Sequence, residues 1–222
     1  MDPKAPSART TVKRHADRGV YDRATIESIL DEATFCHVGV IVEGSPRVIP
    51  TIHARVGDTL YIHGSNASRT LGALKEGSEA CIVVTLLDGL VLARSAFNHS
   101  MNYRSVLVFG AVKEVTDPDE KWNAQRALVD HVVPGRSQDA RMPNEKELRQ
   151  TTILAIPLDE ASAKVRTGAP IDAEEDYDLP IWAGEIPLRT VPQPPIDDPR
   201  LLPGLEPPEY ATRYERGTTA GS

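Results

Sequence analysis

Cysteine is scarce. The chain has two in 222 residues, Cys36 and Cys81, each inside an apolar, strand-like segment and outside any Cys-x-x-Cys spacing. Such a pattern argues against a disulfide and for two buried thiols in a reducing compartment. Long apolar runs are missing too: none approaches the ~20 residues of a membrane-spanning helix, and the opening Met-Asp-Pro-Lys-Ala-Pro has no apolar signal core, so a cytoplasmic protein without a membrane partner is expected. Positive charge is in deficit. With 25 Lys and Arg against 32 Asp and Glu, the net charge is −7, and no basic stripe appears, which argues against a nucleic-acid partner. The motifs of self-sufficient catalysis are absent as well: no Gly-x-Gly-x-x-Gly after a strand, no Walker loop, no Gly-x-Ser-x-Gly elbow and no His-Glu-x-x-His. Histidines 15, 37, 53, 63, 99 and 131 are scattered, without Cys or carboxylates at ligand spacing, so no metal site is expected. What remains is an enzyme whose cofactor carries the chemistry, or a binding protein.

Apolar residues at 40% are those of a globular protein, and the length suits one domain of roughly 150–180 residues with extensions. Residues 1–20 are polar and read as a flexible arm. Asp22 caps a helix whose face holds Ile26, Ile29, Leu30 and Ala33. A strand over 34–42 carries Gly39, which marks a barrel corner or a close approach. Further strands are predicted over 80–86 and 90–94, joined by an Asp88-Gly89 turn, then over 106–115 and 152–158. Asp117-Pro118 opens a helix along which His131 reads as a surface group near the C-terminus. From 169 the chain is acidic and then Pro-rich, an extended tail docking on the barrel or on a partner. Trp182 lies in it between prolines, where it docks singly, as an anchor or as an aromatic plane beside a ring.

The stretch 46–74 organises the rest. Residues 48–56 read as a strand, Gly57-Asp58 as a tight turn, 59–63 as a second strand, and Asn66 or Ser68 as the cap of a short helix. Pro50 cannot donate to a ladder, so its strand belongs at an edge, a bulge or a barrel mouth, with the backbone of Thr51 and Ile52 open to a ligand. His63, Ser65, Ser68, Arg69 and Thr70 gather where the second strand meets the helix. Hydroxyls, a guanidinium and a helix start together outline an anion site.

Those residues, with Pro46 to Thr51, Leu60-Tyr61-Ile62-His63 and Tyr103 through Gly110, carry a resemblance. Residues 25–117 look like the FMN-binding split barrel of the pyridoxamine-phosphate-oxidase-like superfamily, in its branch similar to nitroimidazole reductases. The resemblance implies a mainly β, α+β domain over 21–168: a six-stranded antiparallel split barrel of Greek-key character with peripheral helices, working as a homodimer with the flavin at the interface. It implies that Val48, Ile49, Pro50, Thr51 and Ile52 lie along the isoalloxazine ring, with Ile62 on the neighbouring strand. Ser65, Ser68, Arg69 and Thr70 would hold the phosphate. Asn102, Arg104, Ser105, Arg166 and Trp182 are the further cofactor candidates. His63 stands at the ring edge, as proton donor or as a structural hydrogen bond, and His99 is a second catalytic candidate. Thr70 stands where a Lys is common, and Ile52 or His53 near where oxidases proper carry another. The function implied is therefore an FMN-dependent oxidoreductase reducing small electrophiles such as nitroaromatics or quinones, with NAD(P)H as candidate reductant. Deazaflavin or haem as the cofactor, or a flavin-binding protein without turnover, are the alternatives.

Overall fold

A computed structural model describes residues 3–215, and among them the chain folds into two antiparallel sheets with helices at their flanks. In chain order the elements are β1 Gly19–Val20, α1 Arg23–Glu32, β2 Cys36–Val42, β3 Ser45–Thr51, β4 His53–Val56, β5 Thr59–Ser65, α2 Arg69–Lys75, β6 Glu79–Leu92, β7 Ser100–Ala111, β8 Lys113–Glu114, α3 Pro118–Val132, α4 Arg136–Asp139, α5 Glu145–Gln150, β9 Thr151–Pro157, β10 Glu160–Arg166, β11 Gly184–Pro187 and α6 Glu209–Thr212. The large sheet runs β1-β10-β7-β6-β2-β3, with β11 added to β6, and the small one runs β4-β5-β9-β8. The pair is an open split barrel rather than a closed one. Its strand count exceeds the six expected, because the chain crosses between sheets and adds strands that composition hides.

Two crossings make the barrel. The strand expected over 48–56 is cut at Ile52: Thr51 pairs with Cys36 in the large sheet, whereas His53 pairs with Ile62 in the small one. Likewise the strand expected over 106–115 breaks at Val112, β7 staying in the large sheet and β8 joining β9. Between the sheets lies the core, with Leu30, Val38, Leu60, Ile62, Leu74, Ile82, Val106, Leu154 and Ile156 all buried. Burying each such side chain is worth about 1.5–3 kcal/mol, so the apolar alternation of these strands is what closes the sandwich.

Local signals hold at most helix starts. Asp22, Ser68 and Asp117 accept from the amides of Thr25, Leu71 and Glu120, and Asn144 and Glu147 form a reciprocal capping box. The β2–β3 turn is the two-residue Glu43-Gly44, both with positive φ, which matches strand twist. β3 is the outer strand of its sheet, as its prolines require.

Four expectations are corrected. Asp88-Gly89 is no turn: β6 runs unbroken from Glu79 to Leu92, and the register slips between Leu87 and Gly89 as a bulge. The glycine is needed because β11 passes there, and a Cβ on it would stand 3.1 Å from Ile186 O. Residues 160–166, for which the sequence suggested no strand, form β10 against β7, and Gly184–Pro187, within the stretch expected as extended tail, form β11. The N-terminal segment is laid onto the large sheet rather than free. Arg9 pairs with Glu79 at 2.9 Å and with Glu160, and stands over the Phe109 ring, while β1 pairs with β10. His131 is not a solvated surface group: it packs on His53 and bonds to Ala33 O. From 188 to 208 the tail has turns but no strand or helix, and its extension over 216–222 lies outside the described residues. Among the described residues no helix is long and apolar enough to cross a membrane.

Candidate functional site

The cradle forms where β3 leaves the large sheet. Val48 and Pro50 are exposed on the free edge, Ile49 and Thr51 are half-buried, and Ile52 stands exposed at the crossing. Thr51 Oγ1 donates to His63 O across the gap at 3.4 Å. Ile62 is wholly buried, so its side chain belongs to the core and only its backbone can shape the site. His63 is half-buried, burial pushes its imidazole below the ordinary range, and its Nδ1 is enclosed without a hydrogen-bond partner among the described residues. Ser65 Oγ accepts from Ala67 N and Ser68 Oγ from Leu71 N, so both hydroxyls hold the turn into α2. Thr70 is buried under that turn. Arg69 is exposed and makes no hydrogen bond or ion pair among the described residues.

Arg47, on the same strand, was not singled out by sequence reasoning. Its Nε is buried without a hydrogen-bond partner among the described residues, which makes it a second guanidinium short of an acceptor. Its alternation with Val48 was the available signal. Arg47 on the edge strand β3, His63 on β5 and Arg69 at the start of α2 each keep a side-chain nitrogen without a hydrogen-bond partner among the described residues, which suits a planar, phosphorylated ligand: the imidazole to a ring edge and the guanidinium of Arg69 to a phosphate.

The other predicted residues gather elsewhere. Arg166, buried, donates from Nη1 to Asn102 Oδ1 and to Gly168 O, and from Nη2 to Ala169 O. Asn102 in turn donates to Glu185 of β11. Arg104 is held by Glu32 at the end of α1 and by Asp88 in the bulge, both bidentate, which spends its donors and keeps it charged. Ser105 Oγ donates to Lys164 O. His99 is exposed and donates from Nδ1 to Ser95 O. Trp182 is 67% exposed, its ring over Gly184, so in one chain it is neither a buried anchor nor beside the cradle residues. Along the ladder Pro50–His37–Val83–Leu107, three strand spacings (~14 Å) and then five residues of β7 (~17 Å) separate the cradle from Asn102. The seventeen candidates thus form two clusters, not one.

Asp172, in the acidic stretch after 169, is buried against the end of β6. Its carboxylate accepts from the amides of Arg94 and Ser95, from Arg94 Nη1 and from Asn98 Nδ2, and those donors, the Arg94 amide foremost, hold it below the usual carboxylate range.

A family model described as pyridoxamine 5'-phosphate oxidase matches residues 22–165. The chain belongs to that family. Among solved structures, this family member is similar to the flavocytochrome Anf3 from Azotobacter vinelandii, with 44% identity over 97% of this chain and 100% of that one and a TM-score of 0.92. It is similar to an FAD and haem binding protein from Mycobacterium smegmatis, with 38% identity over 87% and 95% of the two chains and a TM-score of 0.83. A putative 5-nitroimidazole antibiotic resistance protein from Bacteroides thetaiotaomicron aligns at 28% identity over 66% and 86%, with a TM-score of 0.56. No curated protein matches the chain.

Proposed function

We propose that this oxidase-family protein is a flavin-dependent oxidoreductase that binds the riboflavin 5'-phosphate part of FMN or FAD in the β3–β5–α2 cradle. The observation that carries the reading is Arg69, without a partner among the described residues, beside the Ser68-capped turn in a chain 44% identical to a flavocytochrome. A bound flavin supplies hydride or single-electron exchange. The chain's own part is to bind and orient. Arg69 takes the phosphate, the edge backbone at Pro50–Ile52 lines the ring, and His63 offers a neutral imidazole that accepts or donates one hydrogen bond at the ring edge. With Thr70 buried and no Lys at Ile52 or His53, the cradle lacks the cations of a vitamin-phosphate oxidase, which favours a small electrophile such as a nitroaromatic or quinone as acceptor and NAD(P)H as reductant.

Haem is the second redox group proposed, because two relatives at 38% identity or above are named for it or for a flavocytochrome. The two clusters of one chain become one site if a second copy brings its Trp182 segment to the cradle, so the working unit proposed is a homodimer. Titration of the purified protein with FMN, FAD and haemin, followed by absorbance, tests these assignments. Flavin bands that shift on binding, with bleaching by NAD(P)H and recovery with a nitro compound, support the reading. A protein that holds haem but no flavin, or neither, overturns it.

A further inference from the structure

The strand that follows the cradle is weakly held. β4 has four residues and is an outer strand of the small sheet, so ladder bonds grip it from one side only. Its place depends on α1 and α3, which pack against it. His53, the first residue of β4 and the neighbour of Ile52, is fully buried and donates from Nε2 to Leu30 O at 2.9 Å. His131, near the end of α3, donates from Nε2 to Ala33 O at 2.7 Å, and the two rings lie 4.5 Å apart. Both acceptors are carbonyls at the C-terminal end of α1, where the helix leaves such groups without an internal partner. The pair therefore seats β4, and the crossing at Ile52, on the ends of two helices.

The C-terminal segment closes on the same helix end. Tyr214 Oη donates to Val132 O at 2.7 Å, one residue beyond His131. Tyr210 Oη accepts from Arg136 Nη1 at 2.7 Å and donates to Asp139 Oδ2 at 2.6 Å on α4. Beside these contacts lies an open groove of about 500 Å³ lined by Val132, Val133, Pro192, Pro208, Tyr210 and Tyr214. Hydroxyls rather than close-packed apolar area hold the segment down, a contact able to open well below the cost of global unfolding.

We propose that the C-terminal segment is a latch on the cofactor cradle. Through Tyr210 and Tyr214 it seats the end of α3, and His131 and His53, their rings in tilted contact, carry that seat to Ile52. Latched and released tails are the two states, and the position of the α3 end is what differs between them. His131 is a positioning residue here, with no contact to the ligand. The proposal rests on the flavin reading only for its effect on binding, not for the coupling itself.

Amide hydrogen exchange of the full-length protein, without flavin, tests the coupling directly in Tyr210→Phe/Tyr214→Phe and in His131→Phe, substitutions that keep ring volume. Exchange at residues 51–55 should quicken roughly fivefold or more in both variants. Quickening confined to 130–140 and 188–215 would overturn the latch. FMN titration of the same variants should show Kd raised by roughly the same factor if the flavin reading holds. Wild type that binds no flavin, with exchange at 51–55 still quickened, would remove the flavin reading and leave the latch.

Discussion

Arg69 stands exposed at the start of α2 with no acceptor among the described residues, so replacing it costs the fold little and the proposed phosphate contact much. Arg69→Ala should leave Tm within a degree or two and raise the Kd for FMN roughly tenfold, about 1.4 kcal/mol, by equilibrium titration. A Kd unchanged in that variant removes the phosphate assignment. His63 gives a pH test. Burial depresses its folded pKa below the ordinary 6.5, so in the window between the two values the unfolded chain binds the proton more tightly. Stability is full above that ordinary value and falls as pH drops through the window. His63→Gln should flatten the slope of Tm just below about pH 6.5, and equal slopes in both proteins would count against a buried neutral imidazole. At this scale the sequence listed the polar side chains around Ser65–Thr70 but not which donors and acceptors were spent. Arg104 and Arg166 look as available as Arg69 on paper, and only their partners Glu32, Asp88 and Asn102, brought in by the fold, show that their donors are taken.

Elements were legible where the signal is local. Caps at Asp22, Ser68 and Asp117, the outer position of the Pro-bearing strand, and alternation in 152–158 all act within a few residues. Illegible were features set by a distant neighbour. Asp88-Gly89 carries turn chemistry, yet β7 pairs with β6 on both sides of it and β11 crosses the glycine, so pairing overrides the local preference. Gly89→Val should therefore push β11 away from β6 without unfolding the barrel. Exchange at Glu185 and Ile186 would rise while that at Val106 and Val108 stays slow. Uniform protection of β11 in the variant would contradict the close approach at Ile186 O.

For the whole molecule, exposed apolar side chains decide the expectation. Phe35, Ile41, Val48 and Ile52 lie near the cradle, and Ile171, Leu179, Ile181 and Trp182 lie at the other cluster, all at least 36% exposed. Apolar surface of that kind, on an edge strand with open backbone, is normally covered by a partner. Sedimentation should give twice the chain mass, and Trp182→Glu should shift the equilibrium toward the single chain while weakening FMN binding in parallel. A monomeric protein with full FMN affinity would show that one copy completes the site.

Caps and the period-two apolar pattern determined by themselves the helix starts at Asp22, Ser68 and Asp117 and strands such as 34–42 and 152–158, because those preferences are written in neighbouring residues, while the split barrel followed from the family resemblance. Tertiary structure alone decided that 48–56 and 106–115 each split between two sheets, that His131 meets His53, and that the candidate cations divide into the free and the bound. Each of these depends on which distant strand or helix end arrives next to a residue, and a carbonyl or carboxylate dozens of positions away leaves no mark on the local pattern.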